Sequence, residues 1–296
     1  MDKLFCWQTE NIKVTKIPEM ELHDIDASFL FPQWNAGKGQ AAMAGLSDEF
    51  RGQEENQVQL STHSWLIETG KHTFLIDTAA GNDKLRPLNP VFNQLNTRWL
   101  THLAAAGIRP EEIDFVFLSH LHVDHVGWNT HLVNGHWTPT FPNARYFFSA
   151  REFSFYSDEK NVGEPSKGIF ADSILPVTEA GQAVPVDAED ILPVPGLKIH
   201  RTPGHSYDHW SYSLTSEGET ILFWGDVMHH PLQLKVPDWY SVYCEDTDAS
   251  AVSRKWAIAF ALEQNAAVFT THFPGTSAGR VQVSASGPRW MPFKQE

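Results

Sequence analysis

Four residues within six positions carry the strongest chemical signal in the chain. The stretch LSHLHVDHVGW holds His120, His122, Asp124 and His125 between apolar neighbours. Three imidazoles and a carboxylate are costly to bury unless each finds a polar or charged partner. A bound cation supplies that partner. His120 and His122 are two positions apart, so they share one face of a strand or converge on one ion in the loop that follows it. Asp124 and His125 come too soon after to reach the same ion with ease, and a second ion is the natural complement. Imidazole nitrogen and carboxylate oxygen are the donors zinc takes, and a catalytic zinc keeps one position for water. Gly127 is expected to let the backbone turn tightly just past the cluster.

A dinuclear centre needs more ligands than these. Three later stretches supply candidates, each at the C-terminal edge of an apolar run: His205 in TPGHSYDHW, Asp226 in LFWGDVMHH and His272 in VFTTHFPG.

The ordered set HxHxDHxG, PGH, GD and TH resembles the metallo-β-lactamase superfamily, over nearly the whole chain from about residue 60 to His272. The resemblance implies an αββα sandwich of two mixed β-sheets with helices on the outer faces. It also implies two divalent cations, zinc first, with iron, manganese or cobalt as alternatives. Carried over, His120, His122 and His205 hold one ion, Asp124, His125 and His272 the other, and Asp226 bridges both. A hydroxide between the ions is then the nucleophile. Asp77, ending the run LIDTAAG, corresponds to an Asp that braces the metal-binding loop.

Among relatives, the pattern is closest to the acyl-homoserine lactonase and methyl parathion hydrolase branch. Acyl-homoserine lactonases often carry a substrate-contacting Tyr three residues after the bridging Asp; here that place is His229, which resembles the methyl parathion hydrolases more. An imidazole can donate a hydrogen bond to a developing oxyanion, so His229 is a catalytic candidate beside Asp124 and Asp226. The expected reaction is hydrolysis of a small, largely apolar lactone or ester. A phosphotriester, a β-lactam or a thioester are the alternative substrates, and an iron oxidoreductase of the same fold is a further one. Trp34, Trp128, Trp210 and His230 are candidate pocket residues, with Phe29, Phe31, Trp239 and Tyr240 behind them.

These residues need strands that end together. HSWLIETGKHTFLID reads as a hairpin turning at residues 68–71, and IDFVFLS as a buried strand. A helix is expected over 91–106, capped by Gly107. ARYFFS and LKIHRTP read as strands. HWSYSLTSEGETILFWGD is a second hairpin, turning at Glu217-Gly218. ASAVSRKWAIAFALEQNA reads as a helix with Asp246 or Asp248 near its start, and AAVFTTH closes as a strand. Each half has a hairpin whose second strand ends in Asp, Asp77 or Asp226, which suggests a weak internal duplication. The whole chain, 1–296, is expected to be one domain, with residues 1–60 as an N-terminal extension or lid loop.

Composition narrows the partners. Net charge is −14, with no basic run, which argues against a nucleic-acid partner. Only two cysteines occur, Cys6 and Cys244, so neither a disulfide framework nor a thiolate metal site is expected. The N-terminus lacks an apolar signal core, and no run is long enough to span a bilayer. The expectation is a cytoplasmic protein acting on a small molecule without membrane or nucleic acid, and a homodimer by resemblance.

Overall fold

Residues 1–60, expected as an N-terminal extension or lid loop, carry two strands and two short helices and run into a third strand. In the computed structural model, described over residues 3–285 and 287–295, β1 (Cys6–Gln8) pairs antiparallel with β2 (Ile12–Asp26), a strand of 15 residues. Asp26 then caps α1 (Ala27–Leu30) by accepting the Ser28 N–H, and Asn35 caps α2 (Ala36–Met43) by accepting the Lys38 N–H. Ala27, Leu30, Phe31, Ala42 and Met43 are buried with Val58, Leu60, Leu232 and Trp239. The segment is ordered because it buries its own apolar face, not because its sequence alternates.

The chain divides into two compact units, Met1–Met20 with Thr62–Asp190, and Glu21–Ser61 with Ile191–Glu296. In the first unit the expected hairpin forms from β3 (Gln57–Thr69) and β4 (Thr73–Ile76), paired Trp65 to Ile76. The helix expected over 91–106 is shorter, α3 (Trp99–Ala105), followed by Gly107 at φ +87 as the expected cap. The preceding residues bond elsewhere: Asp83 N donates to Leu95 O, Gln94 N to Lys84 O and Arg86 N to Asn93 Oδ1. Those partners outcompete a helix start at residue 91.

Next come β5 (Phe115–Phe117), the small ribbon of β6 (Thr130–Val133) and β7 (His136–Pro139), β8 (Arg145–Ser149), α4 (Ala150–Tyr156), α5 (Leu175–Glu179) and β9 (Ala183–Val186). The sheet order is β1-β2-β3-β4-β5-β8-β9. β4, β5, β8 and β9 run parallel, and Phe74, Phe117 and Phe147 pack across them with ring centroids 5.4 and 5.1 Å apart.

The second unit contributes β10 (Leu197–Arg201), β11 (Trp210–Ser216), β12 (Glu219–Phe223), α6 (Thr247–Glu263), β13 (Ala267–Phe269), β14 (Ala278–Ser284) and β15 (Gly287–Pro292), in sheet order β10 to β15. The β11–β12 hairpin turns at Glu217 (φ 53) and Gly218 (φ 84), the two left-handed positions a tight two-residue turn requires. Asp246 caps α6 by accepting the Asp248 and Ala249 N–H groups.

The two units share one plan. In each, an antiparallel hairpin is followed by a strand parallel to its second member: β3-β4 then β5, and β11-β12 then β13. The duplication suggested by Asp77 and Asp226 is therefore present in the topology. Both sheets are mixed, as expected. Among the described residues no helix is long and apolar enough to cross a membrane.

Candidate metal centre

Strand register brings the chemical residues of each unit to one edge. In the first unit Ile76 pairs with Phe117 across parallel β4 and β5, so Asp77 leaves its strand beside residues 118 and 119. The segment leaving β5 carries His120, His122, Asp124 and His125, and side chains hold its backbone. Ser119 N donates to Asp77 Oδ1 at 2.7 Å, Leu121 N to Glu152 Oε2 at 2.8 Å and Val123 N to Ser166 Oγ at 3.1 Å. Every second N–H has a fixed acceptor, which satisfies a buried backbone without regular structure.

The same carboxylate orients two imidazoles. His125 Nδ1 donates to Asp77 Oδ2 at 2.9 Å. The Ser119 hydroxyl donates to Asp77 Oδ2 at 2.7 Å and accepts from His120 Nδ1 at 3.0 Å. With each Nδ1–H directed outward, Nε2 becomes the lone-pair nitrogen of both rings, as metal-ligating histidines require. The His120 ring lies 4.5 Å from His122 and 3.9 Å from His125, and His125 Nε2 is 3.6 Å from Asp124 Oδ1. Asp77 thus stands where a brace of this loop should. Gly127 answers a different need from the one expected. A Cβ there would lie 1.9 Å from the Ala80 carbonyl carbon, so the residue is small for want of space, not to permit a turn.

In the second unit Phe223 pairs with Phe269 across parallel β12 and β13. Asp226 and His272 each lie three residues beyond that pair, and so emerge together. Antiparallel β11 starts at the same edge, which brings His205 and His209 there through the β10–β11 connection. Three imidazoles surround one carboxylate oxygen: Asp226 Oδ2 is 3.0 Å from His272 Nε2, 3.2 Å from His205 Nε2 and 3.3 Å from His229 Nε2. All four residues are at most 4% exposed. His272 Nδ1 donates to Ser61 O at 3.0 Å, which again assigns the lone pair to Nε2. His209 Nε2 accepts the Asp226 N–H at 2.9 Å and its Nδ1 donates to the Thr202 hydroxyl, fixing the Asp226 backbone from behind.

His229 stacks on His272, with centroids 5.1 Å apart and planes at 13°, and its buried Nδ1 has no hydrogen-bond partner among the described residues. Burial pushes its pKa below the ordinary histidine value, against the opposing pull of Asp226. His230 is held by backbone partners on both ring nitrogens. Its Nε2 donates to Phe50 O and its Nδ1 accepts the Leu232 N–H, and burial holds its pKa down at about 4.

Two aromatic pocket candidates are likewise committed to the interior. Trp128 is 3% exposed, stacked on Trp99 and bonded to Glu19, and Trp210 is fully buried with its indole N–H on Asp208. Trp34 packs on Trp239 and closes over Gly39, where a Cβ would come within 2.5 Å of its ring. The exposed aromatics beside His229 are others. Tyr243 lies over the His229 ring at 6.5 Å and Phe29 meets Tyr243 edge-on at 6.3 Å. Of these, Phe29 is on the sequence-derived list and Tyr243 is not.

Glu152, Ser166 and Glu19 also escape the sequence reading. Ser149 and Glu152 form an S-x-x-E pattern, which signals a capping box. Ser149 does accept the Glu152 N–H, but the Glu152 carboxylate goes to Leu121.

The donor chemistry fits divalent cations. Imidazole nitrogens oriented through Nδ1 and carboxylate oxygens gather in each unit, and three Nε2 atoms crowd one carboxylate oxygen. Such a set suits zinc or a borderline first-row ion.

The metallo-β-lactamase superfamily profile matches residues 58–272. The chain belongs to this superfamily, as its ordered motifs imply. It is 29% identical over 170 residues to a "lactamase-like protein nscB" of Trichophyton verrucosum, covering 56% of this chain and 46% of that protein. It is 27% identical over 173 residues to an N-acyl homoserine lactonase of Bacillus cereus, covering 55% of this chain and 61% of the relative. The matched region thus spans about half to three-fifths of these relatives. Among solved structures, the fold is shared with the hydrolase AbOPH (TM-score 0.82, 24% identity, 99% of this chain and 98% of the other). It is also shared with the dizinc quorum-quenching lactonase AidC (TM-score 0.79, 21% identity, 98% and 97% coverage).

Proposed function

We propose that this protein is a metal-dependent hydrolase of a small, largely apolar lactone or ester. Its ligands are His120, His122, Asp124, His125, His205, Asp226 and His272, holding two divalent cations, zinc first. The observation that carries the reading is the triple approach of His205, His229 and His272 to Asp226 Oδ2 within 3.3 Å. Superfamily membership and the lactonase among its relatives support it.

Bound cations supply a water acidic enough to ionise near neutral pH and polarise the attacked carbonyl. The chain's own residues do the rest. Asp77, Ser119 and Ser61 hold the ligand rings in one tautomer. His229 donates a hydrogen bond to the carbonyl oxygen as charge develops there. Phe29, Val242 and Tyr243 are 57, 41 and 42% exposed, and the Val242 N–H bond to Leu30 O at 2.8 Å joins their two segments. This apolar apron beside His229 favours a substrate with an acyl chain or aromatic ring.

The test is proton release from a medium-chain acyl-homoserine lactone by the zinc-loaded protein in a weakly buffered indicator assay, with an EDTA-treated control. Metal-dependent release is expected. Release from a phosphotriester but not from lactones or esters would overturn the substrate class and favour the alternative reading.

A further inference from the structure

Glu19 is a buried acid in β2, 8% exposed and distant in sequence from every histidine of the cluster. Its carboxylate meets donors only. Oε2 accepts the Ala80 N–H at 2.7 Å, and Oε1 accepts the Gly81 N–H at 3.1 Å and the Trp128 indole N–H at 2.8 Å. The Thr97 hydroxyl, shared with Asn82, lies 3.3 Å from Oε1. A glutamine would turn its NH2 towards one of these donors, so the place calls for an acceptor-only group. Burying a carboxylate is costly, and burial pushes this one up to about 7 despite the bonds that stabilise its anion.

Ala80, Gly81 and Trp128 come from two segments that flank the metal loop. Ala80 is three residues past Asp77, and Trp128 is three past His125. The two segments are joined backbone to backbone: Thr78 N donates to His125 O at 2.8 Å, Gly127 N to Ala79 O at 2.7 Å and Trp128 N to Thr78 O at 2.8 Å. Gly127 leaves no space between them. Ala79 holds a left-handed φ of 49°, a conformation that persists only when surrounding contacts impose it. Glu19 contacts both segments at once.

We propose that Glu19 is a positioning residue for the cation ligands of the 120–125 loop. Its carboxylate clamps residues 78–81 against 125–128, and so fixes the Asp77–His125 hydrogen bond that aims the ring. Metal affinity then depends on Glu19, beyond any effect on fold stability. The inference rests on the metal-hydrolase reading above.

The experiment is a competing-chelator titration of Zn2+ on the folded wild type and on E19Q, W128F and V14A, with a melting curve for each. W128F removes one donor and keeps a ring. V14A opens the buried core of the same strand away from the clamp. E19Q should weaken zinc binding about 10- to 100-fold, the range for groups that orient metal ligands. W128F should weaken it less, and V14A should melt earlier with wild-type affinity. Wild-type affinity in folded E19Q and W128F would overturn the clamp; if E19Q does not fold, W128F alone decides. A wild type that takes up no zinc would instead sink the metal reading, before any variant is compared.

Discussion

Asp77 Oδ2 accepts the Nδ1 hydrogen of His125 at 2.9 Å across 48 residues of sequence. The parallel pairing of Ile76 with Phe117 sets Asp77 beside the start of the loop that carries His125. Asp77 also sits at φ 58°, a left-handed conformation that Asp and Asn tolerate better than most residues. Asp77→Asn therefore tests the charge with little backbone penalty. It should lower zinc affinity about 10- to 100-fold, read by metal retained after dialysis against chelator. Full retention would show that the carboxylate does not orient His125.

Under the proposed reading, His229 acts in turnover and not in metal binding. Its Nε2 is 3.3 Å from Asp226 Oδ2, yet the family pattern does not count it as a ligand. His229→Ala should cut kcat about 100-fold, as loss of one oxyanion donor does, with metal content unchanged. A rate equal to wild type would remove it from the mechanism, and a loss of metal would make it a ligand.

Much of this site was legible in the sequence. The HxHxDH cluster, the strand-end positions of Asp77, Asp226 and His272, and both hairpins follow from spacing and apolar runs. What stayed hidden depends on partners distant in the chain. β2 carries Lys13, Lys16, Glu19 and Glu21 along with Pro18, so its alternation is masked, although Lys16 and Glu19 are buried. Trp128 neighbours the metal loop in sequence, but the partner of its indole N–H, Glu19, is more than a hundred residues away. Aromatic identity alone does not distinguish Trp210, sealed in β11, from Tyr243, open beside His229.

Tyr243 and Phe29 should therefore govern chain-length preference. Tyr243→Ala removes the ring that lies over His229 and part of the apron around it. About tenfold in KM for a long-chain acyl lactone is expected, with a short-chain analogue little affected. Equal losses for both substrates would place the effect on His229 rather than on an acyl chain.

His230 predicts a pH dependence of stability. Its pKa is about 4 in the folded chain against an ordinary 6.5. Between those values the unfolded chain binds a proton that the folded one refuses. Stability contributed by this residue is present above about pH 6.5, falls as pH drops and levels off below about 4. From pH 7 to 5 the loss attributable to it is about 2 kcal/mol. Asn can keep the cap at this position without titrating. His230→Asn should flatten the pH slope of the urea midpoint, and an unchanged slope would assign the dependence to other groups.

The most direct measurement is metal content per folded chain, by elemental analysis, for the wild type and Asp226→Asn after zinc loading and dialysis. The account predicts two zinc ions per wild-type chain and a clear loss in the variant, because Asp226 is the carboxylate on which three imidazoles converge. A wild-type chain without bound zinc, or a variant that keeps both ions, would contradict it.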